Sequence, residues 1–93
     1  MVYVEMKLHI DYKVAGGKML RIDVEIEGAI IKDIRLAGDF FIYPEEAILL
    51  IEKSLKGVEK KQVAKRLNSM LKEKNIKIIG FKPQDLKEAI ERI

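Results

Sequence analysis

The chain has 93 residues, of which 48% are hydrophobic and 35% are charged, and it contains no cysteine. These values predict one globular domain and exclude a disordered chain, disulfides, thiolate nucleophiles and cysteine-based metal sites. The net charge of +3 is uneven, because residues 1–45 hold six basic and eight acidic side chains whereas residues 46–93 hold twelve basic and seven acidic ones.

Two strands are predicted at the start of the chain. Apolar side chains occupy the even positions of residues 2–14, and mostly polar ones occupy the odd positions. Period two over this length is typical of a long, half-buried strand. Gly16 and Gly17 follow as a structural turn that needs positive φ angles. Residues 20–26 alternate in the same way, and Gly28 marks the next turn.

A third strand is placed on residues 29–37, with Ile30, Ile34 and Leu36 on its inner side. Three consecutive strands joined by short turns predict an antiparallel meander. Gly16-Gly17-Lys18 does not have the spacing of a phosphate-binding loop, and it joins two strands instead of a strand and a helix, so it is interpreted as a hairpin turn.

The first helix is predicted to begin at Pro44, whose missing N–H has no helical partner at that position. Glu45 and Glu46 then lie where the helix dipole favours negative charge, and Gly57 fits a C-terminal cap. The predicted apolar face of this helix consists of Ala47, Ile48, Leu50, Ile51 and Leu55.

A second helix is predicted over residues 59–74, where Val63, Leu67, Met70 and Leu71 recur at helical spacing. Residues 76–79 form a short extended stretch, and Pro83 opens a last helix whose stripe is Leu86, Ala89, Ile90 and Ile93. The order predicts an α+β fold, a three-stranded antiparallel meander followed by three helices packed on one face.

His9 lies on the polar side of the first strand and is interpreted as an exposed surface histidine. A catalytic base would need a nucleophile or a carboxylate arranged around it, and a metal site would need more ligands nearby. The acidic side chains of the strands and turns are assigned to the solvated face, and nothing selects a catalytic pair among them. They belong to Asp11, Asp23, Glu25, Glu27 and Asp33.

Lys61, Lys65, Asn68 and Lys72 fall on one face of the second helix. Such a face could contact nucleic acid phosphates, so a small basic nucleic-acid-binding module is the alternative function. The segment has no aromatic residue to stack on bases, and the acidic first half opposes a general basic footprint, so a solvated face is the preferred interpretation.

The run Gly38-Asp39-Phe40-Phe41 holds two adjacent aromatic rings just beyond a strand end. In an extended chain adjacent side chains point to opposite sides, so one ring can enter the core while the other cannot. Both rings could instead cap the core from a turn. The alternative is an exposed ring that fills a pocket on a partner, with Asp39 fixing the loop as a hydrogen-bond acceptor. The residues alone leave both interpretations open.

Several of these segments together resemble a known family. The segments that carry the resemblance are residues 13–20 with their Gly-Gly-Lys turn, Gly28, the run Ile34-Arg35-Leu36-Ala37-Gly38-Asp39-Phe40-Phe41, Pro44-Glu45-Glu46, Leu55-Lys56-Gly57 and the final segment from Lys82 to Ile90. Taken together, they are similar to the C-terminal domain of lipoate–protein ligases. The resemblance covers roughly residues 10–93. It implies a fold like that of SufE and NifU-type proteins, whose sulfur chemistry the absent cysteine argues against.

The resemblance implies a role in lipoylation. Ligases of this family activate lipoate with ATP to lipoyl-AMP and transfer the lipoyl group to a lysine of a carrier domain. Their large domain holds the active site, and this chain lacks it and begins with its own Met, as in the split form of the enzyme. The expected function is a non-catalytic accessory subunit that binds no cofactor or metal itself, while the complex uses ATP and lipoate.

The expected partners are the catalytic subunit, through an interface at Gly38, Asp39, Phe40 and Phe41, and indirectly the lipoyl carrier domains. Nucleic acid and membrane are not expected partners. The apolar run at residues 48–51 is far shorter than the roughly 20 residues that cross a bilayer. No secretory signal is visible at the start, which predicts a cytoplasmic location. The Lys- and Glu-rich composition resembles that of hyperthermophile proteins.

Overall fold

The computed structural model describes residues 5–16 and 18–92. The elements follow in the order β1 Glu5–Lys13, β2 Met19–Glu27, β3 Ile30–Gly38, β4 Phe41–Tyr43, α1 Ala47–Leu55, α2 Val63–Glu73, β5 Lys77–Ile79 and α3 Pro83–Glu91. A short 3₁₀ helix at Lys60–Gln62 leads into α2. Within the described ranges, no helix combines the length and the apolar character that a membrane span requires.

The predicted meander is confirmed, because β2 pairs antiparallel with both β1 and β3. The turn between β2 and β3 has Gly28 at φ +63°, and a positive φ at the first central residue is the feature of a type II′ hairpin. In the turn between β1 and β2, Gly16 has φ +96°, as the predicted turn requires. Gly17, the other predicted turn residue, lies outside the described residues, as do Val2 and Val4.

A β-bulge changes the inner residue at the start of β3. The pairing shifts between Glu25 and Ile26, so that β3 carries one extra residue opposite β2. Since strand side chains alternate, one extra residue changes which positions face the core on the side of the bulge that precedes it in β3. Ile31 is therefore fully buried, whereas the predicted inner residue Ile30 is 37% exposed. The even-number pattern of Ile34 and Leu36 cannot be extended back to residue 30.

The helices cover one face of the three-stranded sheet, as predicted. Even-numbered β2 residues point into this core, and their odd-numbered neighbours Arg21 and Asp23 face solvent. Each fully buried Leu or Ile contributes about 1.5–3 kcal/mol. The largest fully buried side chains are Leu20, Ile22, Ile31, Ile34, Ile51, Leu55, Leu67, Leu86, Ile90 and Val63.

The predicted start of the first helix is wrong. Helix α1 begins at Ala47, and Pro44 lies in the bend after β4, following a cis peptide bond with Tyr43. The Ala47 N–H donates to the Pro44 carbonyl at 3.0 Å, which closes a four-residue turn ahead of the helix. Glu46 is the N-cap residue, and the first turn of α1 contains no acidic side chain.

The buried stripe of α1 is narrower than predicted. Ala47, Ile51 and Leu55 recur every four residues and are fully buried, whereas Leu50 is 49% exposed. Leu50 is therefore wrongly placed in the predicted apolar face. Its neighbour Leu49 is 67% exposed, so α1 presents two leucines to solvent.

The outer edge of β3 is covered by the region of α1. The Leu36 N–H donates to Glu52 Oε2 at 2.8 Å, and the Ile31 N–H donates to the Val58 carbonyl at 2.9 Å. Gly57, with φ +84°, follows the end of α1 as the predicted cap and donates to the Ile31 carbonyl at 2.7 Å. These bonds satisfy an edge that would otherwise pair with another chain.

The other helix boundaries agree with the sequence, except that α2 begins at Val63, after the 3₁₀ helix at Lys60–Gln62, and not at residue 59 as predicted. Asn75 has φ +52°, the left-handed conformation that ends α2. Pro83 occupies the first turn of α3, as predicted. The last predicted core residue of that helix, Ile93, lies outside the described residues.

Candidate protein-interaction site

The two adjacent phenylalanines lie on opposite sides of the chain. Phe40 is partly buried and packs against the core, with its ring centroid 5.0 Å from that of Phe81 in an edge-to-face arrangement. Phe41 begins β4 and is 65% exposed. The structure therefore places one ring inward and one outward, and it assigns Phe41 as the outward one.

Gly38 and Asp39 anchor this segment to the start of β2. The Asp39 N–H donates to the Met19 carbonyl at 2.9 Å, and the Asp39 carboxylate accepts from the Met19 N–H at 3.4 Å. Gly38 has φ +134°, and a Cβ there would lie 2.1 Å from the Met19 carbonyl oxygen. Only glycine fits so close to a neighbouring backbone. Asp39 thus holds the loop as an acceptor.

A second glycine clamps the same segment from the other side. Gly80, at φ +119°, directly follows β5, and a Cβ there would lie 2.7 Å from the Asp39 carbonyl oxygen and 2.9 Å from Phe40 Cα. The next residue, Phe81, supplies the ring that packs on Phe40. Sequence reasoning missed Gly80 and Phe81, because their only signal is a Gly-Phe pair after an apolar run.

Residues 41–43 form the strand β4, which the sequence did not predict. This strand pairs antiparallel with β5 to form a two-stranded ribbon. Ile42 is buried on its inner side, and Phe41 lies directly opposite Ile79 on its outer side. We call Phe41, Tyr43 and Ile79 the ribbon face. They are 65%, 51% and 48% exposed.

The ribbon face continues into a shallow groove towards the end of β3 and the start of α1, where Ala37, Glu45 and Ile48 lie beside Phe40 and Phe41. Covering such exposed apolar side chains removes them from water, which favours association, and aromatic residues are frequent at the core of protein–protein interfaces. The arrangement is therefore suited to binding a protein.

His9 lies on the opposite, polar face of the three-stranded sheet, as predicted, with its side chain 54% exposed. Its Nδ1 is 2.7 Å from Asp23 Oδ1, and its Nε2 is 2.8 Å from Asp11 Oδ1. Asp23 is its cross-strand partner, and Asp11 is its neighbour on the same face. The sequence pattern assigned all three residues to this face but did not bring them together.

This arrangement favours an imidazolium. Both ring nitrogens face carboxylates, so both contacts are hydrogen bonds only when both nitrogens carry hydrogen. The hydrogen bond to Asp23, followed by that to Asp11, raises the pKa of His9 above its usual 6.5. Within residues 5–16 and 18–92, no three His, Asp or Glu side chains are arranged to hold a metal ion. The cluster is a cross-strand ion pair, to which Arg21 adds a contact with Asp11 at 3.8 Å.

The titration of His9 provides a test of this geometry. A group whose pKa is raised on folding contributes stability that is fully present below pH 6.5 and is lost as the pH rises through its folded pKa. The chain has one histidine, so an NMR titration of its ring protons is unambiguous. We expect a midpoint above 6.5 that falls in an Asp23→Asn variant. A midpoint at or below 6.5 in the wild type would show that the ion pair does not form.

The other charged residues singled out in the sequence lie on the surface. Asp33 pairs with Lys56 at 3.4 Å, and Glu27 pairs with Lys32 at 3.7 Å. On α2, Lys65 and Lys72 are exposed. These positions fit the predicted solvated faces.

Comparisons of the sequence and of the fold with known proteins all point to lipoate–protein ligases. Residues 4–90 match the family described as the bacterial lipoate protein ligase C-terminus. The chain is 28% identical over 78 residues to the lipoate-protein ligase A subunit 2 of Thermoplasma acidophilum, an alignment that covers 81% of this chain and 79% of that protein.

A solved structure shows the same fold. It comes from an archaeal lipoylation system, a bi-partite lipoate protein ligase and its E2 lipoyl domain from Thermoplasma acidophilum. One of its chains superposes with a TM-score of 0.78 at 25% identity, covering 94% of this chain and 97% of that one.

Proposed function

The chain belongs to the lipoate protein ligase C-terminal family, and from this premise we propose that it is the accessory subunit of a two-part lipoate–protein ligase. In this proposal a separate catalytic subunit binds ATP and lipoate and forms lipoyl-AMP with release of pyrophosphate. The lipoyl group then passes to a lysine amine of a carrier domain, and AMP leaves. This chain supports the activation step without reacting atoms of its own.

The observation that carries the proposal is the likeness to a bi-partite ligase over nearly the whole of both chains. A relative that is called subunit 2 points the same way. Both belong to a ligase divided between two proteins, so the catalytic residues are expected on the other subunit.

The ribbon face supplies the surface that such a subunit needs. Subunits that stay together bury apolar and aromatic side chains at the centre of their interface. Phe41, Tyr43 and Ile79 present three such side chains on a ribbon that Gly38 and Gly80 hold in place. We propose that the catalytic subunit covers this face, with Gly38-Asp39-Phe40-Phe41 at its border.

Reconstitution tests the function directly. Lipoate-dependent exchange of pyrophosphate with ATP is measured for this chain alone, for the catalytic subunit of the same organism alone, and for the mixture. We expect no exchange by this chain alone. We expect the mixture to exceed the catalytic subunit by roughly 5- to 150-fold, the usual range of coupling between two sites.

Two outcomes would contradict the proposal. One is exchange catalysed by this chain alone, which would place reacting groups on it. The other is equal exchange by the catalytic subunit with and without this chain. A Leu49→Ala chain is prepared and assayed for exchange in the same way as a control for the quality of the protein preparation. Leu49 suits this purpose because it is an exposed apolar residue of α1 outside the ribbon face and the groove beside it.

A further inference from the structure

The first strand lies at an open edge of the three-stranded sheet. Within residues 5–16 and 18–92, β1 has β2 as its only neighbour in the sheet. The opposite edge, at β3, is closed by hydrogen bonds with the region of α1. An open edge presents backbone N–H and carbonyl groups in the arrangement that a further strand satisfies.

The odd-numbered residues of β1 direct these backbone groups outward. Val14, which follows the strand, donates its N–H to the Lys18 carbonyl across the turn at 2.7 Å. Residues of an antiparallel pair alternate between facing the partner strand and facing away from it, so the even-numbered residues of β1 also face β2. The residues whose backbone groups lie on the open edge are Glu5, Lys7, His9, Asp11 and Lys13.

The charges of these residues are complementary to the same strand read backwards. An antiparallel pair of β1 strands centred on His9 places Glu5 of one copy opposite Lys13 of the other. The same pairing places Lys7 opposite Asp11. A two-fold axis repeats each contact, so every charged side chain on this face except His9 meets the opposite charge.

Neighbouring registers lack this match. A shift of two residues in one direction places Glu5 opposite Asp11, and a shift in the other direction places Lys7 opposite Lys13. Like charges directly opposite each other destabilise a strand pair. The charges therefore select the register centred on His9, in which all nine residues of both strands are paired.

The side chains of this face are suited to the contact. In the described part of the chain, Lys7 and Lys13 form no ion pair within one copy. His9 lies on the two-fold axis and meets its own copy there. Each imidazole is held by Asp23 at 2.7 Å and by Asp11 at 2.8 Å, so carboxylates accompany both rings to the axis.

The helix-covered side of β1 points to the same partner. Met6 is 42% exposed, and Leu8 and Ile10 are only partly buried. Helix α3 contacts the far end of the strand, where the Tyr12 hydroxyl donates to Glu88 Oε2 at 3.0 Å. The pairing centred on His9 places Tyr12 of one copy opposite Met6 of the other, and Leu8 opposite Ile10. A second copy thereby covers apolar side chains that one chain leaves partly exposed.

From the open edge, the single matched register and the partly exposed apolar side, we infer that two copies of this chain associate through β1. Their sheets join into one antiparallel sheet of six strands. The ribbon face contains no residue of β1, so this association is separate from the proposed contact with the catalytic subunit and does not depend on it.

Sedimentation equilibrium of the purified chain at low salt measures the association. We expect the average mass to rise with protein concentration from that of one chain towards that of two. The Glu5→Lys and Lys13→Glu variants each place like charges opposite each other at two symmetric points, so each should dimerise roughly tenfold more weakly. An equal mixture of the two variants restores opposite charges at both points and should associate about as tightly as the wild type.

Lys65→Glu is the matched control for charge. It makes the same change in net charge as Lys13→Glu on an exposed position of α2, and it should dimerise like the wild type. Phe41→Ala is the control for the ribbon face and should also dimerise like the wild type.

A disulfide tests the register. The chain has no cysteine, so a single introduced thiol can bridge only two copies. His9→Cys brings two thiols to directly opposite positions, within the Cα separation that a disulfide spans, whereas Lys7→Cys leaves them about 14 Å apart along and across the strands. We expect mild oxidation to cross-link the His9→Cys chain and not the Lys7→Cys chain.

Several results would overturn the inference. One is a wild-type chain that stays monomeric throughout the micromolar range. Others are a mixture of Glu5→Lys and Lys13→Glu that associates no better than either variant alone, or equal cross-linking of His9→Cys and Lys7→Cys. A dimer that is lost in Phe41→Ala but kept in Glu5→Lys would place the contact on the ribbon face instead. None of these measurements involves pyrophosphate exchange, so the proposed function stands or fails separately.

Discussion

A Gly38→Ala variant is expected to unfold on the order of 15 °C below the wild type, from a loss of about 3–5 kcal/mol. Two costs combine at this position. The φ of +134° is rarely adopted by residues with a Cβ, and the added methyl would lie 2.1 Å from the Met19 carbonyl oxygen. That oxygen accepts the Asp39 N–H, so moving it also weakens the bond that anchors the loop.

Gly16→Ala is the matched control. Gly16 also has a positive φ, +96°, but a Cβ there would meet no atom within 4 Å. It should lose only the conformational cost, about 1–2 kcal/mol. Thermal unfolding followed by circular dichroism measures both variants. Equal melting temperatures for the two would mean that the close approach of Gly38 to β2 does not exist.

The three-stranded sheet was predictable because its strands are long. Nine-residue strands such as β1 and β2 repeat the alternation often enough to fix which face is buried. The bulge in β3 was not predictable, since an extra residue leaves no mark in composition and exchanges Ile30 for Ile31 in the core.

The ribbon could not be predicted for a different reason. Strands β4 and β5 have three residues each, too few for a period, and they lie far apart in the chain. Pro44 is an ambiguous signal, because proline suits both a helix start and the bend after a strand. The sequence therefore predicts no strand partner for residues 41–43, and it indicates only Phe41 of the ribbon face.

The adjacency of Phe40 and Phe41 was the one signal that led to the site. It indicated that the two rings could differ in kind, since neighbouring extended residues face opposite ways, but it left open a turn in which both rings cap the core. Packing then decides which ring is inward: Phe81 comes from the end of β5 and meets Phe40. No local pattern around residue 40 contains that information.

Phe40→Ala is therefore expected to lower stability by about 2–4 kcal/mol, somewhat below the usual range for a fully buried Phe. The variant loses its packing against the core and the edge-to-face contact with Phe81. Its melting temperature measures this loss. Wild-type stability would show that the ring does not belong to the core.

Phe41→Ala is expected to fold like the wild type and to bind the catalytic subunit about 30-fold more weakly, which corresponds to about 2 kcal/mol. Its ring is 65% exposed, so truncation removes little from the folded chain, whereas an interface would bury that ring. Calorimetry with the catalytic subunit gives the affinity. Met6→Ala is the control, since Met6 is 42% exposed on β1, away from the ribbon. If Phe41→Ala binds as tightly as Met6→Ala, the ribbon face is not the interface. If Phe41→Ala instead unfolds at a lower temperature than the wild type, the Phe41 ring supports the fold despite its exposure.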